Sequence, residues 1–123
     1  MNRVIWNEGL NPVVINVIDH TGLVVHAAKH HQPGQLLKGS DFVAVANPAA
    51  STLEVAWLGG ACRFGPTVEL TGDVDDVLVS IHASAGGGLP PGIECPAVGV
   101  FYGVTISLTQ PVDQDSFRIN YSP

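Results

Sequence analysis

This sequence predicts an all-β domain, an antiparallel β-sandwich of about eight or nine short strands or, alternatively, a small antiparallel β-barrel. Three observations carry that expectation. Val, Ile and Thr dominate the apolar segments, whereas Leu, Ala, Glu, Lys and Arg nowhere recur at helical spacing. Short stretches alternate apolar and polar residues with a period of two, and clusters of Gly, Pro, Asn and Asp separate them. Only 13% of residues are charged, against about 25% in ordinary globular chains, so few long solvated side chains are available. A chain of 123 residues suits one domain over 1–123 and can close one hydrophobic core.

The elements follow in order. Arg3 to Asn7 reads as a short edge strand with Val4 and Trp6 on one side. Val13-Val14-Ile15-Asn16-Val17-Ile18 is a strand, and Asp19-His20-Thr21-Gly22 reads as a type I turn with a G1 bulge leading into Leu23-Val24-Val25-His26-Ala27-Ala28. That hairpin would set Asn16 opposite His26, Ile15 opposite Ala27 and Val17 opposite Val25, burying Val13, Ile15, Val17, Val25 and Ala27. Lys29 to Gln35 is a polar connection with a Pro33-Gly34 corner, and Leu36 to Ser40 bridges to the strand Phe42–Ala46, which Asn47-Pro48 ends. In Thr52–Leu58, Leu53, Val55 and Trp57 face inward, and Gly59-Gly60 suggests a bulge or sharp bend. Pro66–Thr71 and Val77–His82 form a hairpin that sends Val77, Val79 and Ile81 to the core. Val100, Tyr102, Val104, Ile106 and Leu108 share one face of the longest strand, and Phe117, Ile119 and Tyr121 alternate in the last.

Ala83 to Cys95 is the one long connection, with Gly86-Gly87-Gly88-Leu89-Pro90-Pro91-Gly92 at its centre. These breakers suit neither helix nor strand, and a loop of that length is often used for binding, so Gly86, Gly87, Gly88, Leu89, Pro90 and Pro91 are the candidate binding loop. Cys62 follows Gly59-Gly60 and Cys95 precedes the longest strand, so the pair reads as a disulfide bracing strand ends.

The net charge of -6 rests on only five basic residues, scattered as Arg3, Lys29, Lys38, Arg63 and Arg118. Without a basic patch, nucleic acid and anionic lipid are not expected partners. No run approaches the roughly 18 apolar residues of a membrane helix. The opening Met1–Asn7 lacks the apolar core of a signal peptide. The cysteine pair and low lysine content favour an extracellular or cell-envelope location, with the cytoplasm as the alternative.

An early strand, the Asp19-His20-Thr21-Gly22 turn, the Pro33-Gly34-Gln35 corner and the alternating strands after it resemble immunoglobulin-like or fibronectin-like sandwich modules of bacterial envelope proteins. Gly59-Gly60-Ala61-Cys62 and Cys95-Pro96-Ala97-Val98 also resemble segments of uncharacterised bacterial secreted domains. The chain departs from antibody domains in having no tryptophan between its cysteines, since Trp57 precedes both. The resemblance implies fold and compartment, not activity.

Candidate chemistry is sparse. His26, His30 and His31 are the metal candidates, yet the adjacent His30 and His31 point to opposite sides of an extended segment, and no His-X-His strand is present. Either cysteine with His82 could supply a thiolate and base, but a cysteine in a disulfide is no nucleophile. Gly-X-Ser-X-Gly is missing, and the glycine run precedes prolines rather than a phosphate-binding helix. Asp73, Asp75 and Asp76 lack the calcium ligand ladder, and Asn120-Tyr121-Ser122 matches an N-glycosylation sequon followed by Pro123. The expected function is therefore a non-enzymatic interaction or structural module without a cofactor, engaging a protein or surface partner. The alternative is a small-ligand or metal-binding barrel, with a hydrolytic enzyme third.

Overall fold

Period-two alternation sends one face of each strand inward, and among the described residues nine such strands build two sheets. The computed structural model describes residues 2–6, 13–60, 66–83 and 99–122. Its strands are β1 (Asn2–Trp6), β2 (Val13–Asp19), β3 (Val24–Lys29), β4 (Phe42–Asn47), β5 (Thr52–Gly60), β6 (Thr67–Asp73), β7 (Asp76–His82), β8 (Gly99–Leu108) and β9 (Phe117–Ser122). A single-turn helix, α1 (Pro33–Leu37), lies between β3 and β4. One sheet has the order β1-β2-β6-β7-β9 and the other β3-β8-β5-β4. Val4, Ile15, Val17, Val68 and Val79 of the first join Leu53, Val55, Trp57, Tyr102 and Ile106 of the second in one buried core. Four strands remain as edges, β1 and β9 in one sheet and β3 and β4 in the other, so the structure is not the closed barrel of the alternative expectation.

The antiparallel expectation needs correction in the larger sheet. There β2 runs parallel to β6, with Val17 beside Val68, and β7 runs parallel to β9, with Val79 beside Ile119. Topology is the reason. After β7 the chain crosses to the other sheet as β8 and returns as β9, so the intervening strand reverses direction and β9 runs alongside β7. An immunoglobulin constant domain has strands 1-2-5-4 in one sheet and 3-6-7 in the other, which is a different order.

The expected β2–β3 hairpin is also replaced. β2 pairs with β1, Ile15 opposite Val4, while β3 pairs with β8, Ala27 opposite Ile106, so Asp19 to Leu23 carries the chain between sheets. The Asp19 carboxylate organises this crossing by accepting hydrogen bonds from Thr21 N–H (2.8 Å) and Val24 N–H (3.1 Å). Val13, Ile15, Val17 and Ala27 are buried as expected, but Val25 is 62% exposed. A register shift between Val24 and His26 inserts one extra residue, which breaks the alternation there.

The β6–β7 hairpin forms as expected, with Val77, Val79 and Ile81 in the core. The acidic group there is its turn, because Asp73 Oδ1 accepts from Asp75 N–H and Asp76 N–H. Gly59-Gly60 makes no bulge, since the ladder continues to Gly59 opposite Val100 and Gly60 opposite Gly99. Glycine is needed at 59 because a Cβ would sit 2.8 Å from Tyr102 Cε2.

Where a loop was expected after Lys29, Pro33 occupies the first turn of α1 and Lys38 ends it in a left-handed conformation, φ 51°. The helix lies against β5 and β8 on the outer face of the smaller sheet, burying Leu37 and packing Pro33 over Gly103. No helix among the described residues is long and apolar enough to cross a membrane.

Candidate functional site

Strand registers gather at one end of the molecule the strand ends that flank residues 7–12, 61–65 and 84–98, together with the β3–β4 connection that carries α1. Trp6 opposite Val13 puts the end of β1 and the start of β2 there, Thr67 opposite His82 puts the start of β6 and the end of β7 there, and Gly60 opposite Gly99 aligns the end of β5 with the start of β8. Residues 7–12, 61–65 and 84–98 therefore join strand ends on the same side. The candidate loop Gly86, Gly87, Gly88, Leu89, Pro90 and Pro91 and the cysteines Cys62 and Cys95 fall in these segments and lie outside the described residues. Their attachment points are described. Ala83 is buried and its N–H donates to Ser122 O (2.8 Å), which fixes the departure of the long connection.

Under that end lies an aromatic floor. Trp6 and Trp57 flank Tyr102 with ring centroids 5.7 and 5.8 Å away, and all three are fully buried. Burial pushes the Tyr102 phenol up from its ordinary pKa of 10.0. Lys29 Nζ sits 4.5 Å over the Trp6 ring, at the seam between β1 and β3. Neither indole Nε1–H has an acceptor among the described residues, an expense that most folded proteins avoid.

A second feature is a polar cleft of about 220 Å³ on the outer face of the smaller sheet, lined by Lys29, His30, His31, Gln32, Glu54 and Thr105. Three elements supply its centre. β5 and β8 set Glu54 directly opposite Thr105, while His30 extends the β3 ladder by donating its N–H to Gly103 O (3.0 Å). The His30 side chain is only 16% exposed, and its Nε2 lies 3.8 Å from Glu54 Oε1. Its Nδ1 accepts from Gln32 N–H at 3.1 Å. Gly103 makes this packing possible, since a Cβ there would approach Pro33 Cβ to 2.8 Å and His30 Cβ to 3.1 Å.

The three metal candidates do not converge. His26 is exposed beside Ser107 and His31 is exposed on the connection, leaving His30 alone with Glu54. Among the described residues no group of three or more His, Cys, Asp or Glu side chains could hold a metal ion. His20 lies 3.8 Å from Glu69 on the far side of the molecule, and His82 pairs with Thr67 in the β6–β7 ladder. Asn120 of the sequon is exposed on edge strand β9, where Tyr121 stacks on Phe42 with centroids 4.7 Å apart. Sequence reasoning missed the His30–Glu54 pair, because their approach depends on the strand order β3-β8-β5 and no local pattern signals it. No family model, curated protein or solved structure matches the chain.

Proposed function

We propose that the chain is a non-enzymatic β-sandwich interaction module, exported or envelope-associated, which meets a protein or surface partner with its loop-bearing end. The observation that carries this reading is that the strand ends flanking residues 7–12, 61–65 and 84–98 lie at one end of a packed two-sheet body. Loops on a rigid scaffold can vary in sequence at little cost to the core, which is why such ends serve recognition. Kinship with immunoglobulin-like or fibronectin-like modules belongs to this proposal as an architecture, not as a strand order. The compartment rests on the cysteines. Gly60 and Gly99 are neighbours across a ladder, Cys62 follows the first by two residues and Cys95 precedes the second by four, so a disulfide would tie the two connections together.

Site-specific photocrosslinking in the producing cell tests the reading. A photoreactive residue at Gly87 or Gly88 should yield a discrete adduct, whereas one at Asp75 or Gln110, exposed at the opposite end, should not. Adducts from the second pair alone, or equally from both, would contradict it.

A further inference from the structure

We infer that the cleft between His30, Glu54 and Thr105 is a binding subsite for a neutral, hydroxyl-rich ligand of the saccharide class. It lies on the outer face of the smaller sheet and does not depend on what the loop-bearing end engages. The position of the His30 proton selects the ligand. Its Nδ1 accepts the Gln32 N–H, so the neutral ring must hold its own proton on Nε2. A histidine that binds metal through Nε2 donates from Nδ1 to a second group, and here Nδ1 faces a donor instead. His30 thus presents a fixed N–H toward Glu54, and a cation is not the matching ligand.

The gap between them defines the chemistry further. At 3.8 Å, Nε2 and Glu54 Oε1 are too far apart for a direct hydrogen bond. An oxygen about 2.8 Å from each closes the triangle, provided that it accepts from Nε2–H and donates to the carboxylate. A carbonyl or carboxylate oxygen has no proton for Glu54, and an ammonium has no lone pair for His30. Only a hydroxyl or a water does both. Lys29 and Glu54 bring opposite charges to the cleft, so its net charge favours neither an anion nor a cation, and polar heads alternate with carbon surface in about equal parts, as the hydroxyl edge and C–H face of a sugar ring require. Thr105, directly opposite Glu54, places a further hydroxyl beside it, as a ligand with neighbouring hydroxyls requires. The 220 Å³ volume is below the roughly 300–1,000 Å³ of drug-sized pockets and suits one sugar ring.

The test is a titration of the full ¹⁵N-labelled chain with methyl α-D-glucopyranoside and methyl α-D-galactopyranoside, with glycerol, acetate and zinc chloride as separate arms. At least one glycoside should shift the Gln32, Glu54 and Thr105 amides saturably, with Kd on the order of 1 mM for a ligand of that size. Glu54→Ala, a substitution at a half-exposed outer-face position, should weaken that response at least 10-fold while leaving the remaining spectrum in place. Absence of a saturable glycoside response up to about 100 mM would mean that water alone bridges the pair, and would overturn the inference. So would an unchanged response in Glu54→Ala, or a saturable response at the cleft to glycerol, acetate or zinc rather than to a glycoside.

Discussion

Replacing Gly103 with alanine forces a choice between α1 and the sheet beneath it. The new methyl would lie 2.8 Å from Pro33 Cβ, 3.1 Å from His30 Cβ and 3.4 Å from Val55 O. None of these atoms is the end of a flexible side chain, so the segment carrying His30 and Pro33 must lift. Overpacking of this kind costs about 1–3 kcal/mol. Removing a glycine from a strand interior returns about 0.5–1 kcal/mol. The net expectation is a loss of about 0–2.5 kcal/mol, centred on about 1 kcal/mol, or a Tm lower by a few degrees. Urea unfolding at pH 7 measures the energy, and the His30 ring and Gln32 amide resonances report whether the segment has moved. Gly39→Ala serves as the comparison, since Gly39 has φ +87° with nothing within 4 Å of its added methyl. It should cost about 1–2 kcal/mol through backbone strain while leaving the His30 resonance in place. A Gly103→Ala protein as stable as the parent, with both resonances unmoved, would refute the seating of α1 on β8.

Two further predictions concern charge and covalent structure. Burial raises the Asp19 pKa, but hydrogen bonds from the Thr21 side chain and from the backbone of Thr21, Val24 and Gly22 outweigh it and hold the carboxyl below its ordinary 3.8. The resulting stabilisation is fully present above that value and is lost as pH falls through the lower folded pKa, so urea midpoints of the parent should fall more steeply below about pH 4 than those of Asp19→Asn; parallel profiles would contradict this. Cys62 and Cys95 should form a disulfide in protein from an oxidising compartment, contributing about 3.7 kcal/mol in the chain-entropy model for a 33-residue loop. Intact mass after alkylation without reductant should show no added groups, and two added groups would remove the bridge and the case for export together.

Strand faces were legible in the sequence because burial acts on each residue locally. Leu53, Val55 and Trp57, or Tyr102, Val104 and Ile106, recur with a period of two and are buried as their pattern requires. Partnerships were not legible in the same way. Asp19-His20-Thr21-Gly22 has the composition of a hairpin turn, yet a turn between sheets uses the same residues, and β1 and β6 together occupy both edges of β2, leaving none for β3. Val25 misled for a related reason, since a bulge is a property of the β3–β8 pair rather than of either strand. At five residues, α1 is too short to show a helical period, and its hydrophobic support at Leu37 comes from the sheet below. His30 and Glu54 meet only after all of those partnerships are in place.

Recognition at one end of the sandwich requires the named strand ends to share a side, which the crossings between sheets decide. Interstrand NOEs in a ¹³C,¹⁵N-labelled sample test this most directly. The account predicts the parallel pattern between Val17 and Val68 and between Val79 and Ile119, with Ile15 contacting Val4 and Ala27 contacting Ile106. Cross-strand NOEs between Asn16 and His26, or between Ile15 and Ala27 in a β2–β3 hairpin, would contradict it and separate the strand ends that flank residues 7–12, 61–65 and 84–98.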